Sequence, residues 1–344
     1  MKELLLPSFF LSLIGFFNIF GIRQSLAINQ IFNISAGFLA FFISKKIKRI
    51  FFAVNAQFFY WLLVIFLVVT FVIGLEIKGS KRWIDLYLFN FQASEIFKAF
   101  FILSLSEFLV RDYRFVNKIK IFLLSLFYFL IPAFIIFKQP DLGNAAVYLF
   151  IYLMLIIFSD LPKKYVLYFF LFLFLTLPLG WYFMKDYQRG RIISFLNPQI
   201  DQQGASYNMV QAIITVGSGQ VTGRGLGLGT QSRLYFLPEN HTDFAYSSLV
   251  EQFGFLGGLV VIFLYFVIAL FLIKKLLLFY FLKDPRDKKN FLYLVGFLSY
   301  FIFQVLVNIG MNLGIFPITG IALPFISYGG SSLVAVMIGI ALIP

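Results

Sequence analysis

Cysteine is absent from the 344-residue sequence. Its absence excludes disulfides, thiolate metal sites and cysteine nucleophiles, and leaves the redox compartment undecided. Histidine occurs once, as His241, so a histidine-built zinc site is excluded as well. Charged residues are also scarce, at 12% of the chain, where a soluble domain carries about a quarter. There is too little polar material to cover a water-soluble globule of this length. Chemistry performed by this chain has to rest on carboxylates, lysine, arginine, hydroxyls or a metal bound through oxygen.

What is present is apolar surface. Hydrophobic residues make up 61% of the chain, 50 of its residues are phenylalanine, and mean hydropathy is +0.91. A spanning helix needs about 20 mostly apolar residues. Ten segments meet that description: 4–22, 28–44, 53–75, 92–110, 119–137, 141–160, 164–184, 242–273, 290–311 and 322–343. The first resembles a signal peptide but has no small-residue cleavage pattern after it, so it reads as a span. The short 137–141 connection makes the fifth and sixth spans antiparallel neighbours. The expected fold is all-α: a single polytopic membrane helix bundle over 1–344 with one long structured extracytoplasmic loop.

Net charge is +13, which by itself suggests nucleic acid. Its placement points elsewhere. With Met1 in the cytoplasm, the inner segments hold Lys2; Lys45, Lys46, Lys48 and Arg49; Arg111, Arg114, Lys118 and Lys120; Lys163 and Lys164; and Lys274, Lys275, Lys283, Arg286, Lys288 and Lys289. These are 17 of the 28 basic residues, gathered in short loops beside span ends, as the positive-inside rule requires. Both termini then face the cytoplasm, and no nucleic-acid partner is needed.

The same topology puts the longest interruption, 185–241, outside. Within it, 207–216 reads as an amphipathic helix with Met209, Val210, Ile213, Ile214 and Val216 on its apolar side, suited to the membrane surface or to the bundle. A glycine-rich stretch from Gly217 to Gly229 follows. It is not a nucleotide loop: no strand precedes it and no Gly-Lys-Ser/Thr follows. The run Pro238-Glu239-Asn240-His241-Thr242-Asp243 closes the loop against a hydrophobic helix. Capping by Thr242 or Asp243 explains a lone acid there; a general base explains why several polar residues cluster. Outward cations form a second candidate group: Lys78, Lys81 and Arg82 before Trp83, and Arg189, Arg191, Arg224 and Arg233. They suit lipid headgroups or an anionic, phosphate-bearing substrate, and Trp83 suits an aromatic belt. The third group lies at membrane depth, with Glu95 and Lys98 at i,i+3 and Gln139-Pro140-Asp141 in the short turn. Ionisable residues there face a partner or a cavity.

Several blocks occur in the order of one known family. They are Lys78-Gly79-Ser80-Lys81-Arg82-Trp83-Ile84-Asp85, Phe91 to Lys98, Gln139 to Gly143, Tyr187 to Arg191, Gly229 through Phe244, Pro317 to Ile321, and Pro324 to Ser332. Together they resemble the SEDS family (shape, elongation, division and sporulation), nearer its RodA branch than its FtsW branch because of Gly229-Thr230-Gln231-Ser232. The resemblance implies a ten-span peptidoglycan glycosyltransferase in the bacterial cytoplasmic (inner) membrane. It would polymerise lipid II on the outer face for cell elongation and shape, beside a class B penicillin-binding protein (a PBP2-type transpeptidase). The family's essential aspartate falls on Asp243, the catalytic candidate. Arg82, Trp83, Glu95, Lys98, Arg189, Arg191, Glu239 and His241 are the substrate-binding candidates, in a site shared between loop and bundle, with or without a divalent cation (Mg²⁺ or Mn²⁺). Ala93, Ala245-Tyr246 and Glu251-Gln252 depart from the family pattern, the last where two acids are common. The chain stops at Pro344, where the family usually adds a short cytoplasmic end. Alternatives are a lipid II flippase lined by Glu95, Lys98 and Asp141, a division polymerase, and a non-catalytic scaffold.

Overall fold

The computed structural model describes residues 2–77, 80–85, 90–110, 117–184, 186–197, 205–282 and 284–344. Lys78, Gly79, Arg111, Arg114, Lys283 and residues 198–204 of the long loop lie outside the described residues. The chain opens with α1 (Lys2–Ile22), α2 (Gln24–Ile47), α3 (Arg49–Val54) and α4 (Ala56–Ile73). An antiparallel meander follows, of β1 (Leu75–Ile77), β2 (Ser80–Asp85) and β3 (Asn90–Phe91), in which Leu75 faces Trp83 and Ile84 faces Phe91. Next come α5 (Ala93–Ile96), α6 (Lys98–Leu109), α7 (Lys118–Lys138), α8 (Leu142–Phe158) and α9 (Lys164–Phe183). The long loop contains α10 (Asp186–Leu196), α11 (Ala205–Ser218) and α12 (Thr230–Arg233). The chain closes with α13 (Ala245–Tyr280), α14 (Pro285–Asn312) and α15 (Gly330–Ala341).

Each of the ten apolar segments contains a helix, and the chain is an all-α polytopic membrane protein apart from the small meander. Six of the described helices, α1, α2, α4, α7, α13 and α14, are long and apolar enough to cross a membrane by themselves, whereas α8 and α15 are apolar but shorter. The expected 322–343 span is the main correction. Residues 313–329 are irregular, Phe325 has φ 68°, and helix resumes only at Gly330. Pro324 has no N–H to give a helix, and its carbonyl instead accepts the Tyr265 hydroxyl.

The described chain packs as two compact units, one of Met1–Phe38, Asp186–Phe271 and Ile302–Leu333, the other of Leu39–Lys185, Leu272–Phe301 and Val334–Pro344. In the second unit α7 packs along α8, and α4 lies against α6 and β2. In the first, α10 packs on α11. The amphipathic helix exists, and most of its apolar side is exposed rather than packed on the bundle. Met209, Ala212 and Thr215 are buried, and Val210, Ile213 and Ile214 stay largely exposed. Met209 packs inward with small Ala212 and polar Thr215, and the branched apolar residues are left for a lipid surface.

The glycine-rich stretch has a structural task in the first unit. Helix α13 breaks at Gly254 (φ 73°, ψ −176°). A break inside an apolar helix strands backbone donors and acceptors, and residues 219–225 supply their partners. Arg224 N–H donates to the Glu251 carbonyl at 2.8 Å and Gly225 N–H to that of Gln252 at 3.0 Å; Phe255 N–H donates to Gln220 at 2.8 Å and Leu256 N–H to Val221 at 3.2 Å. The two backbones approach so closely that a β-carbon on Gly254 would sit 2.3 Å from the Gly223 nitrogen.

Glu251, fully buried, anchors the next part of the loop. Its carboxylate accepts the Ser232 hydroxyl at 2.6 Å and the N–H groups of Ser232 and Gln231 at 2.9 and 2.8 Å, with Ser218 Oγ at 3.4 Å. Gln252 departs from the family's acid for a visible reason. Its amide nitrogen donates to Asn18 Oδ1 at 2.8 Å while its oxygen accepts Gly227 N–H at 3.0 Å. A carboxylate could not donate.

Gly254→Ala should cost about 3 kcal/mol, because that backbone region admits essentially only glycine and the β-carbon overlaps the strap; thermal unfolding in detergent measures it. Glu251→Gln turns an amide donor toward N–H and O–H donors, and a loss of about 2 kcal/mol is expected. Hydrogen exchange should then quicken selectively over 217–233, and unchanged protection there would contradict the assignment.

Candidate active site

Asp243 sits in a tight turn rather than in a helix. The Glu239 carbonyl accepts the N–H of Thr242 at 3.2 Å and of Phe244 at 3.1 Å, so 239–244 wrap around one oxygen. Glu239 takes a left-handed φ of 51° to do so, and its carboxylate accepts the Thr242 hydroxyl at 2.9 Å. Buried Leu237 and Phe244 bracket the turn and pack with Met209, Ala212 and Ile318. The apolar brackets fix the polar residues between them, and Asp243, Thr242, His241 and Glu239 are left partly accessible.

Two asparagines from α14 grip the turn. Asn308 and Asn312 each donate a side-chain N–H to the Asp243 backbone carbonyl at 3.1 Å. Asn308 also donates to the Ile321 carbonyl at 2.7 Å. The Asn312 oxygen accepts the Ser247 N–H at 2.9 Å and its hydroxyl at 2.6 Å. This bears directly on the capping explanation. The first bond of α13 runs from Ser248 N–H to the Phe244 carbonyl, which puts Phe244 in the cap position and Ser247 third in the helix. The third N–H is one that a capping side chain ordinarily serves, and here Asn312 accepts it from another helix.

The irregular segment after α14 forms another wall. Ser327 Oγ donates to the Thr242 carbonyl at 2.6 Å, and Tyr328 N–H donates to that of His241 at 2.8 Å. The His241 ring lies edge-on to Tyr328, with Nδ1 3.1 Å from Asn240 Oδ1. Arg191, on α10, donates to the Ile318 carbonyl at 3.3 Å. Gly320 marks the centre: a β-carbon there would lie 3.7 Å from Asp243 Oδ2 and 3.8 Å from Arg191 Nη1. A carboxylate and a guanidinium therefore flank one bare glycine. Arg189, on the same helix, pairs with the exposed Asp186 at 3.7 Å.

The remaining candidates form a centre of their own in the other unit. Arg82 reaches from β2 to the turn between α7 and α8, donating to the carbonyls of Gln139 and Pro140 and lying 3.7 Å from the Asp141 carboxylate. Asp141 also accepts Gln92 at 3.1 Å and both the backbone and side-chain N–H of Asn144 at 3.2 and 2.8 Å. Trp83 lies beside Arg82, whose guanidinium is 5.9 Å from its ring centre. Lys98 is fully buried, 2.6 Å from Glu95 and 5.2 Å from the Tyr300 ring centre. Arg82 and Asp141 thus tie the meander to the α7–α8 turn, and Glu95 and Lys98 neutralise each other within the bundle.

Sequence reading missed Asn308, Asn312, Gly320 and Ser327 as parts of the site. The asparagines carried a signal: two amides at i,i+4 in an apolar helix face a partner rather than lipid. Gly320 and Ser327 lay inside quoted blocks but carried no chemistry of their own.

Comparison with known proteins shows the family and the fold. The chain is 35% identical over 291 residues to peptidoglycan glycosyltransferase MrdB of Escherichia coli (strain K12), covering 84% of this chain and 76% of that protein. It is also 35% identical over 288 residues to the probable peptidoglycan glycosyltransferase FtsW of Wigglesworthia glossinidia brevipalpis, covering 80% and 72%. Among solved structures, it is similar to a chain of a peptidoglycan synthase complex described for its coordination of polymerization and crosslinking (TM-score 0.84, 28% identity, covering 100% of this chain and 96% of that one). It is similar too to the rod shape determining protein RodA of Thermus thermophilus (TM-score 0.72, 26% identity, covering 100% and 95%). A sequence profile described as cell cycle protein matches residues 5–344, and the chain belongs to that family, FtsW/RodA/SpoVE.

Proposed function

We propose that this chain, a peptidoglycan glycosyltransferase of the membrane, polymerises lipid II with Asp243 as the general base. The Asp243 carboxylate takes the proton from the acceptor sugar's 4-hydroxyl as that oxygen attacks the donor's anomeric carbon. The bond to undecaprenyl pyrophosphate breaks, and the leaving diphosphate carries away the electron pair. Arg191 provides cationic stabilisation for that charge. The observation that carries the reading is Asp243 itself: it is partly accessible, beside a guanidinium, with its backbone held by two asparagine amides.

A divalent cation remains an optional cofactor. Among the described residues no three acid or imidazole groups converge as a metal site, so a protein-only cage does not fit. Mg²⁺ or Mn²⁺ would be held mainly by the substrate's diphosphate, as such ions commonly are. The flippase alternative needs Glu95, Lys98 and Asp141 to line an open path. All three are buried, Glu95 paired with Lys98 and Asp141 held by Gln92 and Asn144, which favours the enzyme.

The basic residues beside span ends support an orientation with both termini cytoplasmic and Asp243 outside. Similarity to a chain of a synthase complex supports a class B penicillin-binding protein as partner, and Gly229-Thr230-Gln231-Ser232 supports elongation over division.

Partner-bound Asp243→Asn should lose about 10²–10⁴-fold in lipid II polymerisation, the usual contribution of a general base, while melting like wild type; near-normal glycan synthesis would remove Asp243 from the mechanism. Asn312→Leu keeps the branched shape at a larger volume, removes one of the two donors on the Asp243 carbonyl and strands Ser247. Its kcat should fall about tenfold or more with KM little changed, as misplacement of a reacting group predicts. An equal loss in Asn312→Leu and in a similarly destabilised variant remote from the turn would reduce Asn312 to a folding role.

A further inference from the structure

A cavity of about 550 Å³ opens between α3, α4, α6, α7 and α14 in the second unit. Ile50, Ala53, Val54, Phe108 and Tyr128 supply its apolar wall, and Arg49, Glu107 and Lys289 its charged one. None of its lining residues belongs to a block assigned to the glycosyltransferase. Its arginine is the unusual member. Arg49 Nη1 donates to Asn290 Oδ1, and the guanidinium lies 5.4 Å from the centre of the Tyr293 ring. Nε and Nη2, the edge that grips an oxyanion two-handed, are buried and have no hydrogen-bond partner among the described residues.

The nearby acid does not fill that vacancy. Glu107 is taken by Lys289 at 2.6 Å. Positive charge is in excess in the lining, where Arg49 and Lys289 face the single acid Glu107. Such a group gains from an anion with two oxygens to offer. The neighbouring surface is apolar as well as basic. Ile50 is 73% and Val54 79% exposed, and Phe51 and Phe58 are exposed beside them, which suits acyl chains better than water.

We propose that this cavity binds the phosphodiester headgroup of an anionic glycerophospholipid. Two phosphate oxygens accept Arg49 Nε and Nη2, and the acyl chains run along Ile50 and Val54. Basic pockets between spanning helices hold acidic lipid headgroups by this combination. Residues 45–49 and 274–289 are segments that the positive-inside pattern assigns to the cytoplasmic face, where anionic lipids of the inner leaflet are within reach.

The test is lipid retention by the full chain, purified in uncharged detergent and measured by native mass spectrometry. Dioleoylphosphatidylglycerol is titrated against dioleoylphosphatidylcholine, with inorganic phosphate as competitor. Wild type should hold the anionic lipid about tenfold more tightly, the value of a charged hydrogen-bond pair in a site of this kind. Arg49→Gln should erase the preference. Val54→Trp, at a highly exposed wall position and with every charge intact, should weaken retention by obstructing the mouth. No preference in wild type, or an undiminished one in Arg49→Gln, overturns the proposal. Displacement of the lipid by millimolar phosphate would make this a free-anion site and overturns the lipid assignment. If Arg49→Gln fails to fold, full retention by folded Val54→Trp is sufficient to reject it.

Discussion

Two asparagine amides on one backbone carbonyl hold the site together. Asn308 and Asn312 both donate to the carbonyl of Asp243, and Asn312 also receives the orphan N–H of Ser247 at the start of α13. In an apolar bundle an unpaired carbonyl or N–H is costly, because no water is at hand to replace the partner. The turn is therefore tied to α14 by groups that have few alternatives. Asn308 extends the same grip to Ile321, so the irregular segment after α14 is drawn against the turn.

The irregular parts of the chain follow a common logic. Helix α13 is broken at Gly254, the 239–244 turn needs a left-handed Glu239, and 313–329 abandon helix altogether. Each departure frees backbone groups, and each is repaid by a specific partner: residues 219–225 for the broken helix, Asn308 and Asn312 for the turn, Ser327 and Tyr328 for the carbonyls of Thr242 and His241. Glu251 extends the pattern by gathering the donors of Ser218, Gln231 and Ser232. Asp243, at the end of a long loop, thereby acquires a fixed backbone position.

The polar centre of the second unit obeys a different rule. Arg82, Asp141, Gln92 and Asn144 bond to one another, as do Glu95 and Lys98, with Glu95 Oε2 and Asn144 Oδ1 left without a hydrogen-bond partner among the described residues. Buried charge of this sort persists when it is paired, and pairing makes it an organiser of β2, α5 and the α7–α8 turn. Arg49 is the contrast. Two of its donors are buried without a partner among the described residues, beside a cavity that can admit one.

Composition and periodicity by themselves determined the class: scarce charge, abundant phenylalanine and ten apolar segments leave a helical membrane protein as the physical solution. Ordered blocks brought Asp243 forward, and the single histidine and missing cysteine narrowed the chemistry around it. Hydropathy could not reveal that 322–329 are irregular, because Ala322, Leu323, Phe325 and Ile326 are as apolar as any span and only the company of Pro324 and Gly329 argues otherwise. Nor could local pattern say whether a residue of the turn or one from elsewhere serves the third N–H of α13. That depended on which group accepts the Ser247 N–H, and the answer, Asn312, lies 65 residues away. Periodicity reports which face of a helix is apolar; the partner of a buried polar atom is set by which segments meet in space, and only the tertiary structure decided that.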